Sequence, residues 1–435
     1  MQRIASPPLS RPLQKRFLKL VKSHMRAPHE LASGIAALPS TGTAFAATQG
    51  AWRFLNNERV KLPALAVPAR EAGRTCFHLT SAEFGLLVHD WCKLTFKQPA
   101  RKQDLVQLTH ETDVGYELTT ALLVSAEDGS PLAPMEMHLK TAKGVLSTRS
   151  PAPPDTPHLE QVLPTMRASR SWGLNKPLLH VIDREADSVD HYRRWDADGH
   201  KFLVRADDRR VRWNGNSHLL SAIRNTLRSN GEFHHVGKAW HQGHPAQLYV
   251  AETAVVLDRP AKKSKGGKKF QLPGAPLPLR FIIVQLRDES GQVILAEWML
   301  LTNMPVELAT AEKLAYCYYW RWRIESFFKL LKSHGHQLEQ WQQQTGPAIA
   351  RRLLVATMAC IVVWQLQADQ SPEAEELKAV LVRLSGRQMK YGRLSTAPAL
   401  LAGLWVLLSM LTLLEHYDLN DLQRIADKIP YRDTA

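Results

Sequence analysis

The chain has 435 residues, 44% of them hydrophobic with 12 tryptophans, enough to fill one large core and a smaller unit without disulfide or metal staples. Lysine and arginine total 56 against 41 acidic residues, and the resulting net charge of +15 points to a polyanionic partner, nucleic acid first and a ribosomal or membrane surface second. Cys76, Cys92, Cys317 and Cys360 lie far apart, which excludes a zinc-type pair and reads as four reduced thiols of a cytosolic protein, and the basic N-terminus lacks the apolar run of a secretory signal.

Residues 1–75 read as helical and basic. Arg11, Lys15, Arg16, Lys19, Lys22 and Arg26 interleave with Leu13, Phe17, Leu20 and Val21, and Pro12 suits a first helical turn. A second helical unit over 49–58 carries Trp52 and Arg53 and should end near Asn56 and Asn57. The pattern then changes to strands. The run 85–90 (GLLVHD) is apolar and ends in a carboxylate, and 116–124 with 132–139 form a hairpin through Asp128-Gly129. A helix over 158–169 precedes a second buried-type strand, 178–182 (LLHVI), which ends at Asp183. A helix over 184–197 and a strand over 201–205 follow.

Residues 206–303 read as strand-rich, with candidates at 247–256, 279–286 and 293–301. Within them Lys262, Lys263, Lys265, Lys268 and Lys269 predict a flexible basic loop, either solvated or touching DNA phosphates. One long helix is expected over 310–334, stopped by Gly335, then a very apolar helix over 351–367 and a helical C-terminal part. The stretch 397–414 carries no charge over 18 residues, the lower limit for a membrane span, and no other stretch reads as one. Pro398, Gly403, Ser409 and Thr412 inside it favour a buried or dimer-forming helix, capped by Ser395 or Thr396.

On the expected long helix, at ~100° per residue, Tyr318, Arg321, Glu325, Lys329 and Lys332 share one face, and Trp320, Ile324, Phe327 and Leu331 the other. A lone carboxylate among cations is ordinarily a solvated ion pair. Asp90 and Asp183 change that balance, because each ends a buried-type strand and is held rigidly there. Three converging carboxylates repel one another, and a divalent ion relieves the repulsion. Mg²⁺ takes oxygen ligands and keeps waters, and paired ions can drive in-line displacement at phosphorus. His89 would point away from Asp90 on a strand and pack behind such a site, and Asp113 is a rival for the first aspartate.

The spacing Tyr318-x-x-Arg321-x-x-x-Glu325, with Lys332 beyond, resembles the Tyr-Arg-Glu-Lys signature of bacterial cut-and-paste DDE transposases of insertion-sequence family four. Asp183-Arg-Glu-Ala-Asp187 is similar to that family's second-aspartate motif, and Trp52-Arg-Phe-Leu-Asn-Asn to its N-terminal DNA-binding segment, so the resemblance runs from about residue 35 to residue 367. It implies an α/β fold with a ribonuclease-H-like catalytic core, a β-strand-rich insertion and helical flanks. The division would be a DNA-binding region 1–75, core 76–205, insertion 206–303, core 304–368 and a dimerisation region 369–435. Asp90, Asp183 and Glu325 would be catalytic and bind Mg²⁺, with Mn²⁺ substituting. Tyr318, Arg321 and Lys332 would hold DNA phosphates, and Trp298 would stack on a flipped base. Arg184, Arg205, Lys329 and Arg53 complete the candidate DNA contacts. The implied partners are the inverted-repeat ends and target DNA, bound by a homodimer in the cytoplasm without a membrane.

Two departures stand out. The family's pair of threonines after the first aspartate is replaced by Trp91-Cys92, and Asp90 keeps its place before the aromatic Phe96. The alternatives are a nuclease of the same core that never joins strands, and a decayed relative that only binds DNA.

Overall fold

The computed structural model describes residues 5–26, 41–265, 268–387 and 395–429. Helices α1 (Arg11–His24), α2 (Thr41–Leu55) and α3 (Leu62–Leu79) come first. Pro12 occupies the first turn of α1, where its missing N–H costs nothing, and α2 stops before the asparagine pair but reaches back to Thr41. There follow β1 (Gly85–Leu94), β2 (Val106–Gln107), β3 (Val114–Ser125), β4 (Pro131–Thr141), β5 (Gly144–Ser147), α4 (Leu159–Ser169), β6 (Leu178–Ile182), α5 (Val189–Ala197) and β7 (Lys201–Arg205). The strand-rich stretch holds β8 (Arg210–Trp213), β9 (Asn216–Leu219), α6 (Leu220–Ser229), β10 (His234–His241), β11 (His244–Leu257), β12 (Ala261–Lys265), β13 (Lys268–Leu272), β14 (Leu277–Arg287) and β15 (Ile294–Thr302). The chain ends in α7 (Ala311–Tyr319), α8 (Trp322–Leu331), α9 (Gly346–Ala368), α10 (Pro372–Leu384), α11 (Ala397–Leu414) and α12 (Leu419–Ala426).

A 13-stranded sheet runs in the order β5-β4-β3-β1-β6-β7-β15-β14-β11-β8-β9, with β10 added to β11 and β2 to β3. The β1–β6 and β6–β7 pairs are parallel and the other pairings antiparallel. Residues 206–303 therefore form no separate major sheet, because β15 returns beside β7 and carries β14 and β11 onto the same surface. β1 and β6 are buried on both faces, which is why they read as apolar runs and not as alternating ones.

Four sequence expectations need correction. β1 does not stop at Asp90. Its parallel partner β6 leaves at His89, but β3 stays paired to it as far as Leu94. The lysine-rich segment is an antiparallel ribbon, β12 with β13, and not a loop; its lysine side chains lie outside the described residues. The helix expected over 310–334 is two helices with a break at Trp320–Arg321, and α8 ends at Leu331, ahead of Gly335. Residues 184–197 begin with a short 3₁₀ turn, Arg184–Ala186, before α5.

The two long apolar helices meet different fates. Both are long and apolar enough to cross a membrane, α9 as well as α11, so the second candidate was overlooked in the sequence. α9 is apolar all round and runs through the core between α1, α3, α8 and β4, 89% buried over its most apolar window. Its N-terminus is fixed by Asp104, whose carboxylate accepts the Gly346 N–H and the Tyr116 hydroxyl. α11, capped by Thr396, buries Ala399, Leu400, Leu401 and Gly403 against α10 and α9. Its Val406, Met410, Leu411 and Leu414 are exposed, so of the two expectations, a buried or a dimer-forming helix, burial within the chain holds only for its first turns.

Candidate active site

Two neighbouring strands bring the aspartates together. Asp90 follows the last β1–β6 parallel pair, His89 with Ile182, and Asp183 follows Ile182 directly. Each carboxylate is oriented by the backbone beside it: Asp90 Oδ1 accepts the Trp91 N–H at 2.8 Å, and Asp183 Oδ1 accepts the Arg184 N–H at 2.7 Å. Glu325 arrives from the first turn of α8.

The break between α7 and α8 sets that arrival. The sequence there contains neither proline nor glycine, so the cause is tertiary. Trp320 lies against Gly129 in the β3–β4 turn, where a Cβ would stand 2.3 Å from the indole, and Gly129 has φ +73°. The Arg323 Nε donates to Gly129 O at 2.8 Å, and Tyr316 stacks on Trp320 from the preceding turn. With Trp320 held outward on the hairpin, Arg321 turns inward and is 4% exposed.

Arg321 is the hub of the site. Its Nη1 donates to Asp90 Oδ2 at 2.9 Å, its Nη2 to Glu325 Oε1 at 3.1 Å, and the same Nη2 lies 3.5 Å from Asp183 Oδ2. Three carboxylates from distant segments thus meet on one guanidinium. Tyr318 donates its hydroxyl to Asp183 Oδ1 at 3.1 Å, and Arg205, at the end of β7, comes within 3.9 Å of the same oxygen. Burial pushes the Asp90 carboxyl up to about 6, only partly countered by Arg321 and the Trp91 amide and reinforced by Asp183 and Glu325. Burial also works against an ionised Asp183, but there Arg321, the Arg184 amide and Tyr318 outweigh it and leave the group below its ordinary value. Burial raises the Tyr318 phenol, which stays protonated and able to donate.

The other predicted residues fall into two groups. Trp298, 6% exposed on β15, packs its ring 5.3 Å from that of Tyr318 and supports the site from the core side. Lys332 donates to Lys93 O at 2.8 Å and pairs with Glu339 at 3.1 Å, which ties the end of α8 to the far end of β1. Arg184 pairs with Asp207 at 3.3 Å. Lys329 and Arg53 are exposed, and Arg53 sits on α2, a helix that packs on α1 and α9. Asp113 pairs with Lys93 at 3.5 Å and is not among the partners of Arg321. His89 is buried behind the site, 3.0 Å from His180 Nδ1, and burial holds it down to about 3.

Some residues went unassigned in the sequence. The Asp187 side chain is buried and pairs with Arg209 while accepting the Asp207 N–H, which anchors the loop after Asp183; it was visible as the last residue of the second-aspartate motif. The role of Arg321 as a counter-ion had no signal beyond its shared helical face. Thr120, opposite Asp90 in the ladder, has a buried hydroxyl without a partner among the described residues.

Among the described residues no group of His, Cys, Asp or Glu stands in a ready metal-holding arrangement. The donor set at Arg321 nevertheless fits a hard divalent ion: three carboxylates, oxygen atoms only, gathered within the reach of a single cation. Such an ion would take oxygens now engaged by the guanidinium.

The family described as "Transposase DDE domain" matches residues 145–362, just over half of the chain. The chain is 37% identical over 107 residues to the transposase for insertion sequence element IS421 of Escherichia coli. It is equally similar to InsL of insertion sequence element IS186A of Escherichia coli strain K12. Each match covers 20% of this chain and 27% of the relative, so the chain spans about a quarter of the length of these curated relatives. A cryo-EM structure of the piggyBac transposase synaptic complex with hairpin DNA aligns with 98% of this chain and 78% of its own at 9% identity. Its TM-score is 0.36, too low to bear on the fold.

Proposed function

This chain belongs to the transposase DDE-domain family, and from that premise we propose that it is a DNA transposase that excises and inserts a mobile element by metal-dependent strand cleavage and strand transfer. The observation that carries the reading is the meeting of Asp90, Asp183 and Glu325 on Arg321. These carboxylates are the proposed ligands of Mg²⁺, with Mn²⁺ able to substitute. When bound, the divalent ions supply a Lewis acid for the scissile phosphate and a more acidic nucleophilic hydroxyl. The chain's own groups do the rest. The backbone amides of Trp91 and Arg184 and the Tyr318 hydroxyl fix the aspartates, and Trp298 holds the Tyr318 ring. Arg205 and Arg184 stand beside Asp183, positioned for phosphates of the substrate strand.

A ribonuclease-H-like core is supported by the run β4-β3-β1-β6-β7, in which antiparallel strands precede two parallel ones and the aspartates lie at the centre. The Tyr318, Arg321, Glu325 and Lys332 spacing supports placement in insertion-sequence family four, and with it the cut-and-paste route through a hairpin. The partners we assign are the inverted-repeat ends and target DNA. The exposed apolar side of α11 is the surface for pairing two copies, and the protein works where bacterial DNA lies, in the cytoplasm. The division into a DNA-binding region 1–75, core, insertion 206–303 and C-terminal pairing region 369–435 belongs to the same reading.

Asp183→Asn tests it. With Mg²⁺ and DNA carrying the ends of the element, the variant should bind but neither cut nor join. Retained cutting would remove Asp183 from the chemistry, and a wild-type protein that cuts without ever joining would be a nuclease.

A further inference from the structure

We propose that Arg321 occupies the cation's place in the DNA-free protein, so that a divalent ion binds strongly to Asp90, Asp183 and Glu325 only after a DNA phosphate has drawn the guanidinium away. The inference rests on reading these carboxylates as metal ligands.

The geometry makes the two cations competitors. Nη1 and Nη2 are committed to one oxygen each of Asp90, Asp183 and Glu325. A divalent ion bound at ~2.1 Å would need lone pairs on the same carboxylates, and a guanidinium left between them would repel it. The other cations nearby do not do this work. Arg205 touches only Asp183, at 3.9 Å, and Lys332 is tied to Glu339 and the Lys93 carbonyl.

Arg321 is also built to leave. It lies at the break between α7 and α8, outside both regular helices, so its side chain can swing without unwinding either. Its guanidinium lies 5.8 Å from the Tyr318 ring and 5.4 Å from the Trp322 ring. Trp322 is 47% exposed, so its face leads from the buried cluster towards solvent. In the present position Nε is buried with no partner among the described residues, an unmet donor that costs free energy. A phosphate accepts two parallel N–H bonds from an arginine fork and would satisfy it. DNA is therefore the ligand whose chemistry releases the carboxylates.

The coupling must be reciprocal: the factor by which DNA tightens metal binding equals the factor by which metal tightens DNA binding. The experiment measures free Mn²⁺ by electron paramagnetic resonance against the full chain, with and without duplex DNA taken from the sequence flanking the reading frame. The proteins are wild type, Arg321→Ala and Asp183→Asn. Without DNA, Arg321→Ala should bind Mn²⁺ more tightly than wild type, on the order of tenfold. DNA should raise the wild-type affinity by a similar factor and that of the variant by much less. Equal Mn²⁺ affinities of wild type and Arg321→Ala without DNA, both lost on Asp183→Asn, would overturn the competition while leaving the carboxylates as ligands. Mn²⁺ binding unaffected by Asp183→Asn in every arm would instead overturn the metal site itself. Should circular dichroism show Arg321→Ala unfolded, the wild-type comparison with and without DNA decides, and no DNA-induced gain overturns the proposal.

Discussion

The sheet carries two buried acidic centres built on opposite ratios of charge. On β4, a single carboxylate has three partners. Glu136 Oε1 receives Arg149 Nε at 3.0 Å and the Thr165 hydroxyl at 2.7 Å, and His138 Nε2 lies 2.9 Å away. Burial opposes its charge, but these partners outweigh it and hold the group down to about 2. Around Arg321, three carboxylates share one cation, and Asp90 is pushed up to about 6. The first centre spends charge on holding α4 and the 149 corner to the sheet. The second is left short of positive charge, which suits the metal site proposed there.

The contrast can be broken by stability measurements of opposite sign. Glu136→Ala takes the carboxylate from the half-buried Arg149 and should destabilise the fold by about 3–5 kcal/mol, read from chemical denaturation at neutral pH. A loss below about 1 kcal/mol would place the two centres in one class. Gly129→Ala comes next. It puts a methyl into the Trp320 ring at a left-handed φ and should cost roughly 1–3 kcal/mol. Because the hairpin sets the turn that aims Arg321, the proposed strand cleavage should fall further than the stability change alone explains; equal cleavage by the folded variant would free the site from this clamp. The smallest effect has the reverse sign. The folded-state value of Asp90 is raised, so its ionised form costs stability above about pH 6, and the cost is relieved as pH falls from there towards its ordinary 3.8. Asp90→Asn should therefore stabilise the metal-free protein at pH 8, by about 1–2 kcal/mol, and make no difference near pH 4. A variant less stable than wild type at pH 8 would show that the ion pair to Arg321 outweighs burial.

What the sequence discloses follows from which forces are local. The runs GLLVH and LLHVI announce β1 and β6 because strands covered on both faces must be apolar throughout, and Asp128-Gly129 announces the β3–β4 turn through its backbone demands. Asp183 was legible as a strand-end carboxylate. The helix break was not, because Tyr-Tyr-Trp-Arg-Trp contains no breaker and the cause is a glycine in another hairpin. Glu136 and His138 stayed invisible for a similar reason. Both are buried, and the groups that Glu136 binds, Thr165 of α4 and Arg149, lie beyond the strand. In α11 composition leaves burial and pairing of two copies open, and among the described residues only part of the helix is covered.

The ladder between Leu300 and Arg205 carries a consequence for how the chain is routed. The polypeptide departs from β7 and comes back on β15 as its immediate hydrogen-bonded neighbour, so the intervening excursion begins and finishes at a single doorway. The second post is laddered on its other side to β14, so the excursion and the doorway share one sheet. Glu325 lies just beyond the second post, on the helix after α7, and α7 is itself tied back to the excursion, where the Tyr319 hydroxyl donates to Trp240 O at 3.0 Å, so the far side of the doorway helps to fix its address.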